Sequence, residues 1–122
     1  MTYLLVALGG GCGAVLRYAL GQWIPAAKSG FPFATLGVNV LGCFLVGILY
    51  VCIVERSGFD HPLRPLFVIG FCGGFTTFST FSLEAISLWE AGQYQTAAIY
   101  VVLSLVFCIV AALAAVTVTR AI

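Results

Sequence analysis

Long runs without a charged residue constrain the fold of this chain more than any other feature of its sequence. Three runs cover residues 29–54, 65–83 and 91–119, and a fourth covers 1–16 and continues past Arg17 to about residue 24. Each supplies the roughly 20 apolar residues that cross a hydrocarbon core about 30 Å thick. The chain is only 7% charged, whereas soluble domains carry roughly 25% charged residues. The sequence therefore predicts an integral membrane protein.

The apolar runs favour helices over the strands of a membrane barrel. A barrel strand alternates apolar and polar residues, and that alternation is absent here. We therefore predict an all-α protein with a single four-helix transmembrane domain over residues 1–122. The expected helices cover residues 2–23, 33–54, 66–89 and 94–119. The short connections leave no room for a soluble catalytic domain, and neither an enzyme nor a nucleic-acid partner is indicated.

The distribution of basic residues gives only a weak orientation signal. Arg56, Arg64 and Arg120 lie on one predicted side of the membrane, and Lys28 lies on the other, where Arg17 also counts if it extends outward. A chain of fixed topology usually shows a clear excess of Lys and Arg on its cytoplasmic side. The near balance favours insertion in both orientations.

Small residues recur at the spacing that lets membrane helices approach closely. Gly9 with Gly13, and Gly70 with Gly74, match this small-xxx-small pattern. The pattern is compatible with packing inside one chain and with an interface between chains. Four helices enclose little interior space, so we favour an oligomer for any polar pathway.

The densest polar segment, "GGFTTFSTFSLE" at residues 73–84, lies in the third apolar run. In a continuous helix, Phe75, Phe78 and Phe81 form one slanting stripe. A ring is positive at its edge, so such a stripe can contact an anion, although most Phe stripes face lipid or core. Its interleaving with hydroxyl groups favours the anion interpretation.

A second stripe in the same segment is polar. Thr77, Thr80 and Glu84 follow i, i+3, i+7 spacing. The glycines before them, at positions 70, 73 and 74, favour a break in the third helix near Thr76. A break frees backbone groups, which are tolerated in a membrane only where they face protein, water or an ion. Bonding of each hydroxyl to its own helix is the plainer alternative.

Four more polar side chains lie within predicted spans. Asn39 is the only Asn in the chain, and it suits either an interhelical hydrogen bond or donation to an anion. Arg17 suits either extension to the interface or attraction of anions to a pore mouth. Tyr100 and Ser104 lie one turn apart on one face of the fourth helix. Together these groups suit passage of a small anion better than catalysis.

The cysteines do not form a recognisable metal or redox motif. No two occur as a CxxC pair, and the only His lies in a loop. Their positions favour packing as small apolar side chains. The five are Cys12, Cys43, Cys52, Cys72 and Cys108.

Three segments resemble the Fluc (CrcB) family of fluoride channels. They are "GFCGGFTTFSTFSLE" at 70–84, "LGVNVLG" at 36–42 and "GAVLRYALG" at 13–21. The resemblance covers essentially the whole chain. It implies a dual-topology homodimer of antiparallel subunits in the bacterial plasma (inner) membrane, with two pores for passive efflux of toxic cytoplasmic fluoride and selectivity over chloride.

The resemblance also implies roles for individual residues. Phe78 and Phe81 are the expected ring-edge contacts, and Asn39 is an expected pore donor. Arg17 acts through its field. A polar track beside the rings is expected to contain Ser79, Thr80, Glu84, Tyr100 and Ser104.

The resemblance further implies a structural sodium ion at the dimer interface. The expected ligands are backbone carbonyls of Gly73 and Thr76 from both subunits, which suit a hard cation. The chain departs from many relatives in the fourth helix, where Cys108 and Ala112 replace the Ser and Thr that continue the track. The resemblance therefore does not indicate which groups complete the far end of the track.

Two other functions are compatible with a small four-helix membrane protein. The first is a proton-coupled small-molecule exporter resembling the small multidrug resistance transporters, which place an essential Glu in helix 1; here helix 1 has Arg17 and no acid. The second is a non-transporting assembly subunit, which should be apolar throughout its spans. The polar third span disfavours it.

Overall fold

The computed structural model describes all residues, Met1–Ile122, as four helical spans without strands. The spans contain 22, 23, 26 and 28 residues, and each is long and apolar enough to cross a membrane. The predicted bounds are confirmed to within two residues, the largest difference being at the end of the fourth span. The protein is thus a multi-pass membrane protein. We number the spans α1 (Thr2–Trp23), α2 (Phe33–Glu55), α3 (Pro65–Glu90) and α4 (Tyr94–Ala121).

Glycines on α1 and on the first part of α3 pack against each other inside one chain. A β-carbon added to Gly13 would overlap the Phe71 carbonyl oxygen, and one added to Gly74 would overlap the backbone of Gly10. Close backbone approach of this kind is the usual role of small residues in membrane helices. The small-xxx-small pairs therefore hold α1 against α3 within the chain.

A second close contact joins α2 to α4. A β-carbon added to Gly47 would lie 2.8 Å from the Ala112 carbonyl oxygen. Further along both helices, Arg56 Nη2 donates to the Thr119 carbonyl oxygen at 2.7 Å. The later residue of α2 thus contacts the later residue of α4. The two helices therefore run parallel, with Gly47 level with Ala112.

The winding of α3 changes along its length. Residues Pro65–Cys72 form a π-helix, Gly73–Phe75 form one α-helical turn, and Phe78–Glu90 form a regular α-helix. Thr76 and Thr77 between them have extended backbones, with ψ angles of 157° and 112°. The Thr77 hydroxyl accepts a hydrogen bond from the Thr80 amide at 3.2 Å, and this bond caps the α-helix Phe78–Glu90.

The extended residues divide the three phenylalanines expected to share one stripe. Phe75 is buried and its ring stacks on Phe71, with centroids 5.8 Å apart. Phe78 and Phe81 instead pair with each other at 5.4 Å. The prediction of a single stripe was wrong, because it assumed continuous helix geometry across Thr76 and Thr77.

Candidate functional site

One face of α2 is directed at the extended residues of α3. Thr35, Asn39 and Gly42 occupy this face at i, i+4, i+7 spacing. The Asn39 carboxamide forms two bonds with one backbone unit: its Oδ1 accepts from the Thr77 N–H at 2.8 Å, and its Nδ2 donates to the Thr77 carbonyl at 3.0 Å. Asn39 therefore satisfies backbone groups that an extended residue leaves without helical partners. Its second Nδ2 hydrogen remains for another acceptor.

This pairing changes the hydrogen bonds of the carbonyls just before the extended residues. In a continuous helix the Thr77 N–H would donate to the Gly73 carbonyl, but it donates to Asn39 instead. The next carbonyl, that of Gly74, accepts from Arg17 Nε at 3.1 Å. Arg17 is thus fixed against α3 as well as half-buried.

A cavity of about 400 Å³ opens beside the extended residues. Side chains of α2, α3 and α4 all contribute to its wall. Six residues predicted from the sequence line it: Asn39, Gly73, Thr76, Phe78, Phe81 and Ser104. We call this space the aromatic cavity.

The two rings in the aromatic cavity have different environments. Phe81 is 7% exposed, whereas Phe78 is 73% exposed. The Phe81 ring also contacts Tyr100, with centroids 5.1 Å apart. Tyr100 is fully buried, and its hydroxyl has no hydrogen-bond partner; the same holds for the buried hydroxyl of Ser104 one turn further along α4. Two buried donors without partners therefore lie beside the buried ring.

A second cavity of about 210 Å³ lies between α1, α2 and α3. Arg17, Thr35 and Thr80 line it together with Thr77, which also lines the aromatic cavity. The Thr77 hydroxyl donates to Thr80 Oγ1 at 3.0 Å. We call this space the basic cavity, because Arg17 is the only charged residue in its wall.

The remaining predicted residues lie outside the two cavity walls. Glu84 is half-buried, and its Oε1 accepts a bond from Thr35 Oγ1 at 2.5 Å. Tyr100 lies behind Phe81, as described above. Ser79 is exposed, and its hydroxyl is 3.4 Å from the Thr77 hydroxyl.

Several residues of the site were missed from the sequence. Thr35 contacts Glu84 and lines the basic cavity, and its position one turn before Asn39 was the signal that could have identified it. Cys43 and Cys72 line the aromatic cavity together with Cys108. No group of three or more His, Cys, Asp or Glu side chains is placed to hold a metal ion.

The sequence of this four-helix chain is similar to those of a known family of proteins. The sequence model described as "CrcB-like protein, Camphor Resistance (CrcB)" matches residues 4–116. The chain belongs to the CrcB family. A relative from Saccharophagus degradans is 48% identical over 98% of this chain and 90% of its own length. One from Rhizobium leguminosarum bv. trifolii is 47% identical over 97% and 95%, and one from Paracoccus denitrificans is 42% identical over 98% and 94%.

All three CrcB relatives carry the name "Fluoride-specific ion channel FluC". Each alignment covers nearly all of both proteins, so the comparison includes both cavities and all four spans. Membership of a channel family agrees with the prediction that the chain is not an enzyme.

Proposed function

We propose that this protein is a fluoride-selective channel that lets toxic cytoplasmic fluoride leave a bacterium passively through its inner membrane. The observation that carries this proposal is the unpartnered hydroxyl of Ser104 in the wall of the aromatic cavity, with the unpartnered Tyr100 hydroxyl one turn away behind the Phe81 ring. Buried polar groups normally have partners, so donors left free in a membrane span are available to a permeating anion. The names of the CrcB relatives specify fluoride.

The surroundings of these hydroxyls suit an anion that must shed water. Fluoride is small and strongly hydrated, so a pore must replace its lost water contacts. Hydroxyl donors and the positive edges of Phe78 and Phe81 do so without a fixed charge inside the aromatic cavity. Conduction requires binding that is favourable enough for entry and weak enough for release.

Arg17 supports the same direction of selectivity from the basic cavity. Its guanidinium is anchored on the Gly74 carbonyl and lies near the hydroxyls of Thr77 and Thr80. A positive potential in a cleft with low-dielectric walls raises the local concentration of anions. We assign Arg17 to this field effect, and Thr80, Ser79 and Glu84 to the polar route beside the rings.

A second part of the proposal is a structural sodium ion held by carbonyls of Gly73 and Thr76. Two observations support the fit. Gly73 loses its helical donor to Asn39, and the Thr80 N–H, the helical donor to Thr76, bonds the Thr77 hydroxyl instead. Oxygen ligands suit a hard cation. Bound there, the ion supplies positive charge that fixes the two extended residues.

The third part of the proposal is a homodimer of antiparallel subunits, in which the same chain inserts in both orientations. The exposed Phe78 ring supports a partner subunit, because Phe78 lines the aromatic cavity and a pore there needs a second wall beyond this exposed ring. The near balance of basic residues between the two sides supports both orientations.

A structure from crystals grown in a lipid phase that contains sodium tests the sodium ion and the dimer together. We expect two chains in opposite orientations, with one cation bound by Gly73 and Thr76 carbonyls of both. Parallel chains, or a monomer, would contradict the dimer. An antiparallel dimer whose Gly73 and Thr76 carbonyls bind no ion would contradict the sodium site alone.

Fluoride efflux from liposomes containing the purified protein tests the channel itself. A fluoride electrode is expected to record rapid release down a fluoride gradient, and chloride release is expected to stay at the level of protein-free liposomes. Fluoride release no faster than in protein-free liposomes, or equal chloride release, would refute the proposal.

The same vesicles separate the channel from the proton-coupled exporter. The exporter is disfavoured because α1 contains Arg17 and no acid. It is also disfavoured because the chain belongs to the CrcB family, whose relatives are named fluoride channels. A proton gradient applied without a fluoride gradient is therefore expected to accumulate no more fluoride than in protein-free liposomes, where neutral HF crosses the bilayer by itself. Uphill accumulation beyond that level would favour coupled export.

A further inference from the structure

Two cysteines on neighbouring helices face one another across the wall of the aromatic cavity. Gly47 of α2 lies against Ala112 of α4, and these helices run parallel. Cys43 is one turn before Gly47, and Cys108 is one turn before Ala112. The two thiols are therefore level with each other on neighbouring helices. Both line the aromatic cavity.

We propose that Cys43 and Cys108 form a two-thiol site for a soft monovalent cation such as Cu(I) or Ag(I). Thiolate sulfur is the ligand that selects soft cations, and monovalent d¹⁰ ions accept two sulfur ligands in a linear arrangement. Neither cysteine forms a disulfide. The sequence predicts that these two cysteines only pack as small apolar side chains, and the proposal adds a binding role.

The surroundings restrict the coordination number. No group of three or more His, Cys, Asp or Glu side chains is placed to bind a metal, so the tetrahedral site that Zn²⁺ requires is absent. Cys72 lines the same cavity from α3, but it does not complete a three-ligand group with Cys43 and Cys108. A cation that is satisfied by two sulfurs is the one this wall can hold.

The binding step is a ligand exchange without oxidation. Each thiol loses its proton to water or buffer. Each thiolate sulfur then forms one bond to the cation and displaces a water molecule that was bound to it. A free thiol is mostly protonated at neutral pH, so binding of one ion is expected to release about two protons. The resulting complex carries one net negative charge beside Phe81 and Ser104.

Occupancy of this site has a consequence that rests on the proposed channel function. A bound cation with its two thiolates narrows the aromatic cavity and places a negative charge where an anion would pass. We therefore expect soft cations to inhibit fluoride efflux. The binding itself does not depend on the channel function.

The test uses silver nitrate in chloride-free buffer, with protein carrying Cys12→Ser and Cys52→Ser to remove the two exposed thiols. In detergent, this background protein is expected to retain one Ag⁺ per chain against excess monothiol competitor. Adding Cys43→Ser or Cys108→Ser is expected to weaken retention by about 100-fold, because one of two linked ligands is lost. The readouts are bound silver by mass spectrometry and protons released in an unbuffered titration.

Cys72→Ser in the same background is the matched control, since it removes a third thiol from the same cavity. We expect it to retain silver and to release about two protons per ion. Unchanged retention in the Cys43→Ser or Cys108→Ser protein would overturn the site, as would loss of retention in the Cys72→Ser protein. Elution as a single species of unchanged size shows that each variant is folded.

Fluoride efflux from liposomes provides the second arm. In the presence of the same excess monothiol competitor, silver is expected to block efflux through the background protein and to leave efflux through the Cys43→Ser protein unchanged. Block of both proteins alike would contradict inhibition at this site. If no protein conducts fluoride, the channel proposal fails while silver retention still decides the two-thiol site.

Discussion

Replacing Phe78 and Phe81 together by Ile is expected to reduce fluoride efflux to the level of protein-free liposomes. The two rings pair at 5.4 Å and line the aromatic cavity. Isoleucine keeps an apolar side chain of similar bulk but has no ring edge to present to an anion. The loss should therefore appear in conduction while the protein still folds. The measurement is initial efflux recorded with a fluoride electrode.

The control for this variant is Phe71→Ile, which makes the same chemical change in the other aromatic pair. Phe71 stacks on Phe75 and lines neither cavity, so efflux is expected to persist. Size-exclusion chromatography of both proteins shows whether assembly is preserved. Wild-type efflux in the double variant would refute the ring-edge role, and equal loss in Phe71→Ile would show that general packing is responsible.

The two single variants separate the roles of the rings. Phe81 is buried and contacts Tyr100, whereas Phe78 is mostly exposed within one chain. Any loss of stability should therefore come mainly from Phe81→Ile. For Phe78→Ile the expected effect is on conduction, because in the proposed dimer the partner subunit would cover that ring.

The sequence predicts the four spans closely because each depends on a local property, the length of an apolar run. The resemblance to the fluoride channels groups Phe78, Phe81, Asn39 and Ser104 in one pathway, and the structure places all four in one cavity wall. The prediction of a single Phe stripe failed at Thr76 and Thr77. The extended Thr77 is bonded through both of its backbone groups to Asn39, which is distant in sequence.

The contacts that the sequence does not reveal are also long-range. Thr35 and Glu84 are 49 residues apart in the chain, and Arg17 and Gly74 are 57 apart. The level placement of Cys43 and Cys108 depends on the register of α2 against α4, which is set by Gly47. Spacing within one helix contains no information about that register.

Replacing Asn39 by Leu is expected to destabilise the protein as well as to abolish efflux. The carboxamide satisfies both the N–H and the carbonyl of Thr77, and leucine satisfies neither. Each buried backbone group left without a partner costs about 1–3 kcal/mol, and lipid offers no water to replace the bonds. The free energy of unfolding should therefore fall by about 2–6 kcal/mol. Unfolding in mixed micelles of increasing sodium dodecyl sulfate measures it.

Leu41→Ala provides the comparison for Asn39→Leu, because Leu41 is on the same helix but is 53% exposed. It is expected to change the free energy of unfolding and the efflux little. If Asn39→Leu unfolds at the wild-type detergent concentration but does not conduct, Asn39 acts as a pore donor rather than as a support for Thr77. If it retains both stability and efflux, neither role holds. Loss of both, with Leu41→Ala unchanged, is the result that the paired hydrogen bonds predict, because the extended residues that carry the cavity wall depend on them.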